Sequence, residues 1–230
     1  MKKIALLSLF CLISIAGFSQ VKLGLRVAPN ISLNSVNSEG IYNDLEKDGS
    51  SLRFSAGPIA DFFFADNYAF TTGLWYTVKR VGLSGTVPAN DDSGAQISAK
   101  SLYNIQYLQL PVGLKLFTNE VAPDIRIFFT LGGTLDLKLA EKQKDEANNF
   151  LYREARNSDR KAFKPVDAGI LFGAGAELVM GANTVLFGGL NYNRGLVNSL
   201  GRVEYPSGSR IVDDVRLTNS YFSLEVGLKF

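Results

Sequence analysis

The stretch Val215–Phe230 reads VRLTNSYFSLEVGLKF. Counted back from its end, Phe222, Leu224, Val226, Leu228 and Phe230 fall on one face, and Tyr221, Ser223, Glu225, Gly227 and Lys229 on the other. Alternation with period two marks a strand with two unlike sides. One side is apolar and finishes in an aromatic residue, while the other carries a carboxylate, an ammonium and a glycine. Such a strand separates an apolar medium from a polar, crowded one.

The same two-sided pattern recurs about eight times, the number of strands in a small membrane barrel. Strand one, Val21 to about Leu33, sets Val21, Leu23, Leu25 and Val27 against Lys22, Gly24, Arg26 and Ala28. Strand two, Leu52 to Ala65, sets Leu52, Phe54, Pro58 and Phe62 against Arg53, Ser55, Gly57 and Asp61. Strand three, Tyr68 to Lys79, follows after the tight turn Asp66-Asn67. In strand four, Tyr103, Ile105 and Tyr107 are apolar in one phase and Leu108, Leu110, Val112, Leu114 and Leu116 in the other. A bulge near Tyr107 would reconcile the two phases, since one extra residue moves every later side chain to the opposite face. Strand five alternates from Ile125 to Lys138, strand six from Val166 to Met180 and strand seven from Thr184 to Leu196. The closing strand is Val215–Phe230.

The links between strands read long, short, long, short, long, short, long. The polar segments Asn34–Ser51, Gly82–Ser101, Ala140–Lys164 and Asn198–Asp214 are expected as loops, and the others as turns. An antiparallel up-and-down chain then has all its long loops at one end and all its tight turns at the other. This predicts an all-β fold, an eight-stranded antiparallel transmembrane β-barrel with short periplasmic turns and long extracellular loops.

Met1–Ser19 begins with Lys2 and Lys3, continues apolar from Ile4 to Ala16 and offers small residues at Gly17 and Ser19. This is the pattern of a cleaved secretory signal; its apolar run falls short of the roughly 20 residues of a spanning helix. Residues 20–230 are expected as one barrel domain. The lone Cys11 lies within the signal, so the remainder has no thiolate nucleophile, thiolate metal site or disulfide. The chain has no histidine, which removes the commonest general base and the commonest transition-metal ligand. Net charge is +2, both charges being accounted for by Lys2 and Lys3, and gives no argument for nucleic acid.

A secreted lipocalin-like ligand-binding barrel is the structural rival, with the apolar face turned inward. Strands of roughly 13 to 16 residues, well beyond the usual 5 to 6, favour the membrane. So do glycines gathered on the polar face at Gly57, Gly73, Gly113, Gly132, Gly169, Gly173, Gly175 and Gly227. The polar faces also bring Arg26, Arg53, Lys79, Lys115 and Arg126 toward Asp61, Asp136, Asp167, Glu177 and Glu225. These ten are expected to form a paired charge network in the lumen, joined by Lys22, Lys138 and Lys229, because an eight-stranded interior has room only for side chains.

With the strands laid out, the chain resembles the PorT-like outer-membrane β-barrel family of Bacteroidetes. The residues behind the likeness are Leu23-Gly24-Leu25-Arg26, Tyr107 to Lys115 (YLQLPVGLK), Asn191 to Asn198 (NYNRGLVN) and Ser223 to Phe230. The resemblance implies an integral outer-membrane barrel inserted by the barrel assembly machinery, with Phe222, Leu224, Val226, Leu228 and Phe230 as the assembly signal. Outer-membrane lipids and lipopolysaccharide are the expected surroundings; the family's namesake is associated with the type IX secretion pathway, which makes an accessory role there an alternative for this chain.

No catalytic, cofactor or metal site is expected. Asp91-Asp92 and Asp213-Asp214 fall well short of the roughly 6 to 8 oxygen ligands that calcium takes. Gly173-Ala174-Gly175 lies mid-strand without the following helix of a nucleotide loop. The functions left are a non-enzymatic structural or interaction role at the envelope, an accessory role alongside secretion-system proteins, and a narrow solute channel.

Overall fold

The computed structural model describes residues 20–38, 46–88, 96–144, 162–181, 183–201 and 215–230. The elements are β1 (Gln20–Ser32), β2 (Ser35–Ser38), β3 (Glu46–Lys47), β4 (Leu52–Ala65), β5 (Tyr68–Gly73), β6 (Trp75–Pro88), β7 (Gln96–Ala122), β8 (Ile125–Gln143), β9 (Val166–Val179), β10 (Val185–Gly195), β11 (Val215–Thr218) and β12 (Tyr221–Lys229). Neighbouring strands are antiparallel, in the order β1, β12, β10, β9, β8, β7, β5 with β6, β4, and β4 pairs back onto β1. Eight crossings therefore close into a ring without a free edge.

β5 and β6 are two halves of one crossing. Ile59 faces Gly73 and Ala56 faces Tyr76 in a single continuous register, and the register against β7 is equally unbroken. The break falls at Leu74, which lies opposite Pro58 on β4, while its neighbour Gly73 lies opposite Pro111 on β7. Neither proline has an N–H to donate to the ladder. Leu74 still donates to the Pro58 carbonyl at 3.1 Å, and the Thr72 hydroxyl donates to the Pro111 carbonyl at 2.7 Å.

The apolar faces point outward. On β12, Phe222, Leu224, Val226 and Leu228 are exposed while Tyr221, Ser223, Glu225 and Lys229 are buried. The same division holds on β1, where Leu23, Leu25 and Val27 are exposed and Arg26 and Asn30 buried, and on β8, where Phe129, Leu131, Leu135 and Leu137 are exposed and Thr130, Thr134 and Asp136 buried. This is the reverse of the lipocalin arrangement.

Four expectations from the sequence are corrected. Strand four has no bulge of its own near Tyr107: β7 keeps one register against β6 from Gln109 to Gln96, and Tyr103, Ile105 and Tyr107 all point inward. The register shift opposite Tyr107 belongs to β8, where Leu139 is the extra residue between Lys138 and Ala140. The apolar phase change in strand four instead marks the level at which the interior itself becomes apolar. Second, Gly82–Ser101 is largely strand, since β6 and β7 remain paired to Pro88 and Gln96 as a hairpin standing above the barrel wall. Third, the closing strand is broken at Asn219-Ser220. Its first part, β11, leaves the barrel sheet and pairs with β2 in a small second sheet. Fourth, the first loop contains β3, which pairs with β6.

Above the charged lumen, Val81, Leu83, Tyr103, Ile105, Tyr107, Ala162, Phe163, Leu200, Val215 and Leu217 form one apolar cluster. Strand extensions and returning loop segments thus build a small dry core at the extracellular end. The expected signal Met1–Ser19 and the acidic pairs Asp91-Asp92 and Asp213-Asp214 lie outside the described residues.

Candidate functional site: the charged lumen

Four buried cations, Arg26, Lys79, Lys115 and Lys229, face five buried carboxylates, Asp61, Asp136, Asp167, Glu177 and Glu225. Their strands alternate strictly, so each of these side chains is on the inward phase, and the ring closure brings them together from β1, β4, β6, β7, β8, β9 and β12.

The lower layer is centred on Asp61. The Lys229 ammonium donates to its Oδ2 at 2.5 Å and also to Glu177 Oε1. Lys115 Nζ donates to the same Asp61 oxygen at 3.1 Å, and the Thr71 hydroxyl donates to Oδ1 at 2.6 Å. Aromatic faces surround the two ammoniums. Lys115 Nζ is 4.6 Å from the centre of the Phe128 ring, and Lys229 Nζ is 4.9 Å from that of Phe187, within cation–π range. Two lysines, two carboxylates and the rings thus neutralise one another in a space closed to solvent, where an unpaired charge would cost several kcal/mol.

One level up, the Arg26 guanidinium lies over the Trp75 ring at 3.7 Å from its centre, 3.5 Å from Glu225 Oε2, and donates to the Ser55 hydroxyl at 3.2 Å. In the upper layer Lys79 Nζ donates to Asp136 at 2.6 Å and lies 3.7 Å from Asp167. Asp167 in turn accepts from Ser199 at 3.2 Å and from Asn219 at 3.0 Å. The Tyr221 hydroxyl donates to Gln109 at 2.9 Å. Asp136 and Asp167 sit directly opposite on β8 and β9 and share one lysine, which is where the surplus carboxylate resides.

Two of the expected lumen residues are placed elsewhere. Arg53 is at the extracellular rim, half-exposed, donating to the Asn104 side-chain carbonyl at 3.1 and 2.9 Å and to the Leu52 carbonyl at 2.6 Å. Arg126 is at the periplasmic end. It donates to the Asp66 carbonyl at 2.7 Å, to Asn67 Oδ1 at 2.9 Å and to the Thr118 carbonyl at 3.2 Å, and so ties two turns together. Both follow inward phase in the sequence, but lie too near a strand end to enter the lumen. Lys138, also near an end, pairs with Glu141 at 2.6 Å.

Sequence reasoning missed the interior aromatics Phe63, Phe117, Phe128 and Phe187, which pack with Trp75 and Leu171. A signal for two of them was present. Phe128 faces Gly175 and Phe187 faces Gly227 across the ladder. A Cβ at Gly175 would stand 2.5 Å from the Phe128 ring, and one at Gly227 the same distance from Phe187. Each glycine lets a ring lie flat against the wall. The cavity among Trp75, Lys115, Phe187 and Glu225 is ≈ 20 Å³, about one water.

Within the described residues this geometry pairs buried charge with buried charge in a filled interior. Among the described residues no group of three or more His, Cys, Asp or Glu is placed to hold a metal ion.

Solved barrels share this architecture. OprG of Pseudomonas aeruginosa superposes with a TM-score of 0.52 at 12% identity, covering 93% of this chain and 98% of its own. The Neisserial surface protein A gives 0.49 at 10% identity, covering 91% and 95%. No curated protein sequence matches the chain. The family model described as outer membrane protein beta-barrel domain matches residues 18–201. With its outward apolar strands, closed ring and filled interior, the chain belongs to the outer membrane protein beta-barrel domain family.

Proposed function

We propose that this chain is a non-enzymatic, PorT-like outer-membrane barrel with a stoppered lumen, acting through its extracellular end in a structural or interaction role. The filled interior supports this reading most. Charges that could line a pore are spent on one another, the cavity between them admits about one water, and an apolar core covers the extracellular end. The absence of histidine from the sequence argues in the same direction for chemistry. Outer-membrane lipids and lipopolysaccharide are the expected surroundings, and the barrel assembly machinery the expected partner of Phe222, Leu224, Val226, Leu228 and Phe230.

Planar-bilayer recording of the purified chain tests it. The expected result is no steady conductance above the bare membrane, and a reproducible ohmic channel would establish the narrow-channel alternative instead. A second reading, accessory to a type IX secretion system, draws on the folded extracellular cap of β2, β11 and the β6–β7 hairpin, a surface suited to a protein partner. Deleting the gene and comparing secreted and surface proteins decides it, an unchanged set excluding that role.

A further inference from the structure

A cleft of ≈ 490 Å³ opens on the outer wall where β10 ends, β12 begins and the β2–β11 pair rises above them. We propose that it binds the phosphorylated headgroup of an outer-leaflet lipid of the lipid A class. The inference rests on the outer-membrane placement of the barrel.

Its walls carry Arg194 and Arg216 together with the hydroxyls of Ser35, Thr218 and Ser220, and no carboxylate is among the described residues lining it. Neither arginine is ion-paired among the described residues; Arg216 reaches only the Leu196 carbonyl, at 3.4 Å. Both side chains are exposed. The cleft is shaped by chain crossing: Gly195 packs so closely on Asn219 that a Cβ there would stand 2.5 Å from the Asn219 carbonyl oxygen.

Height selects the ligand. Tyr192 and Phe222 pair on the outer wall just below the cleft, their ring centres 4.7 Å apart. Arg194 lies two residues further along the same face of β10, roughly 7 Å toward the extracellular side at strand rise. Beneath the rings the wall is Leu190, Leu224 and Val226, all exposed. Two guanidiniums and hydroxyls therefore stand above an aromatic pair and an apolar wall, in the vertical order of phosphate, interface and acyl chains. Guanidiniums take phosphate oxygens through paired N–H donors, and basic residues at this level attract anionic lipid. A free soluble anion would have no use for the apolar wall.

The test is native mass spectrometry of the full chain in zwitterionic detergent, titrated with diphosphoryl lipid A, with the same lipid stripped of its phosphates, and with inorganic phosphate. One diphosphoryl lipid A per barrel is expected to be retained. The Arg194→Gln/Arg216→Gln double variant should bind it about tenfold more weakly or worse, the factor that a charge-assisted hydrogen bond carries. Ser35→Glu, which keeps both arginines and adds a negative charge to the cleft, should give a comparable loss, and Lys100→Gln on the distant hairpin none. Undiminished binding by both cleft variants overturns the proposal. So does equal retention of the dephosphorylated lipid, or inorganic phosphate competing as well as the lipid, which would make this a site for free anions. None of these results bears on the stoppered lumen, which conductance reports separately.

Discussion

Lys229 shows how much one side chain can carry here. It is fully buried and donates to Asp61 and Glu177, residues far apart in sequence on β4 and β9. Removing it leaves Glu177 without its cation and Asp61 with Lys115 alone. Lys229→Met is expected to destabilise the barrel by ~3–5 kcal/mol, the usual consequence of breaking a buried pair from one side. Adding Glu177→Gln should recover part of that loss. Denaturant unfolding in lipid vesicles, followed through the fluorescence of the single tryptophan Trp75 against Arg26, measures both; equal stability of Lys229→Met and the parent chain would show that the pair contributes nothing. Much of this layer was legible in the sequence, because Asp61, Lys115 and Glu177 each occupy the polar phase of a clear alternation. Arg53 and Arg126 occupy that phase too, yet alternation fixes only the side of the wall and not the height along it. The interior aromatics were illegible for a related reason: a phenylalanine in the polar phase looks like an irregularity until its facing glycine is known.

At the scale of a strand, β12 offers a direct comparison between its two faces. Leu224 is 57% exposed on the outer wall, whereas Ser223 is 3% exposed inside. Leu224→Arg should cost ~2–4 kcal/mol near mid-membrane. Ser223→Ala should be close to neutral, since the Ser223 hydroxyl is buried without a hydrogen-bond partner among the described residues and its loss removes no bond seen there. Refolding into vesicles under a denaturant series checks the pair, and equal tolerance would contradict the orientation of the wall. The elements that the sequence concealed lie above the membrane. A hairpin wet on one or both sides, such as β6–β7 beyond Gly82, loses the outward apolar residues that betray a lipid-facing strand and reads as loop. β2, β3 and β11 are short, and their pairing depends on partners distant in sequence. Even the apparent defect in strand four was a change of surroundings rather than of backbone, with Tyr103, Ile105 and Tyr107 turned toward a dry core.

For the molecule as a whole the decisive contact is the seam between β1 and β12. Phe230 donates its N–H to the Leu23 carbonyl at 2.7 Å and accepts from the Leu23 N–H at 3.2 Å, while its ring is exposed on the outer wall. Deleting Phe230 should lower the amount of barrel reaching the outer membrane, read by fractionation and by the heat-dependent gel shift of folded barrels. An undiminished level would show that neither the seam bonds nor the terminal ring matter for insertion. The position of Lys229 beside this seam has a kinetic consequence. Until β12 docks against β1, an incomplete sheet leaves Asp61 and Glu177 short of one ammonium, so water must remain to solvate them. Drying of the interior and closure of the ring are then a single event. A half-zipped intermediate would be a wet one, and trapping it should admit solvent exchange at the very amides that the finished barrel seals.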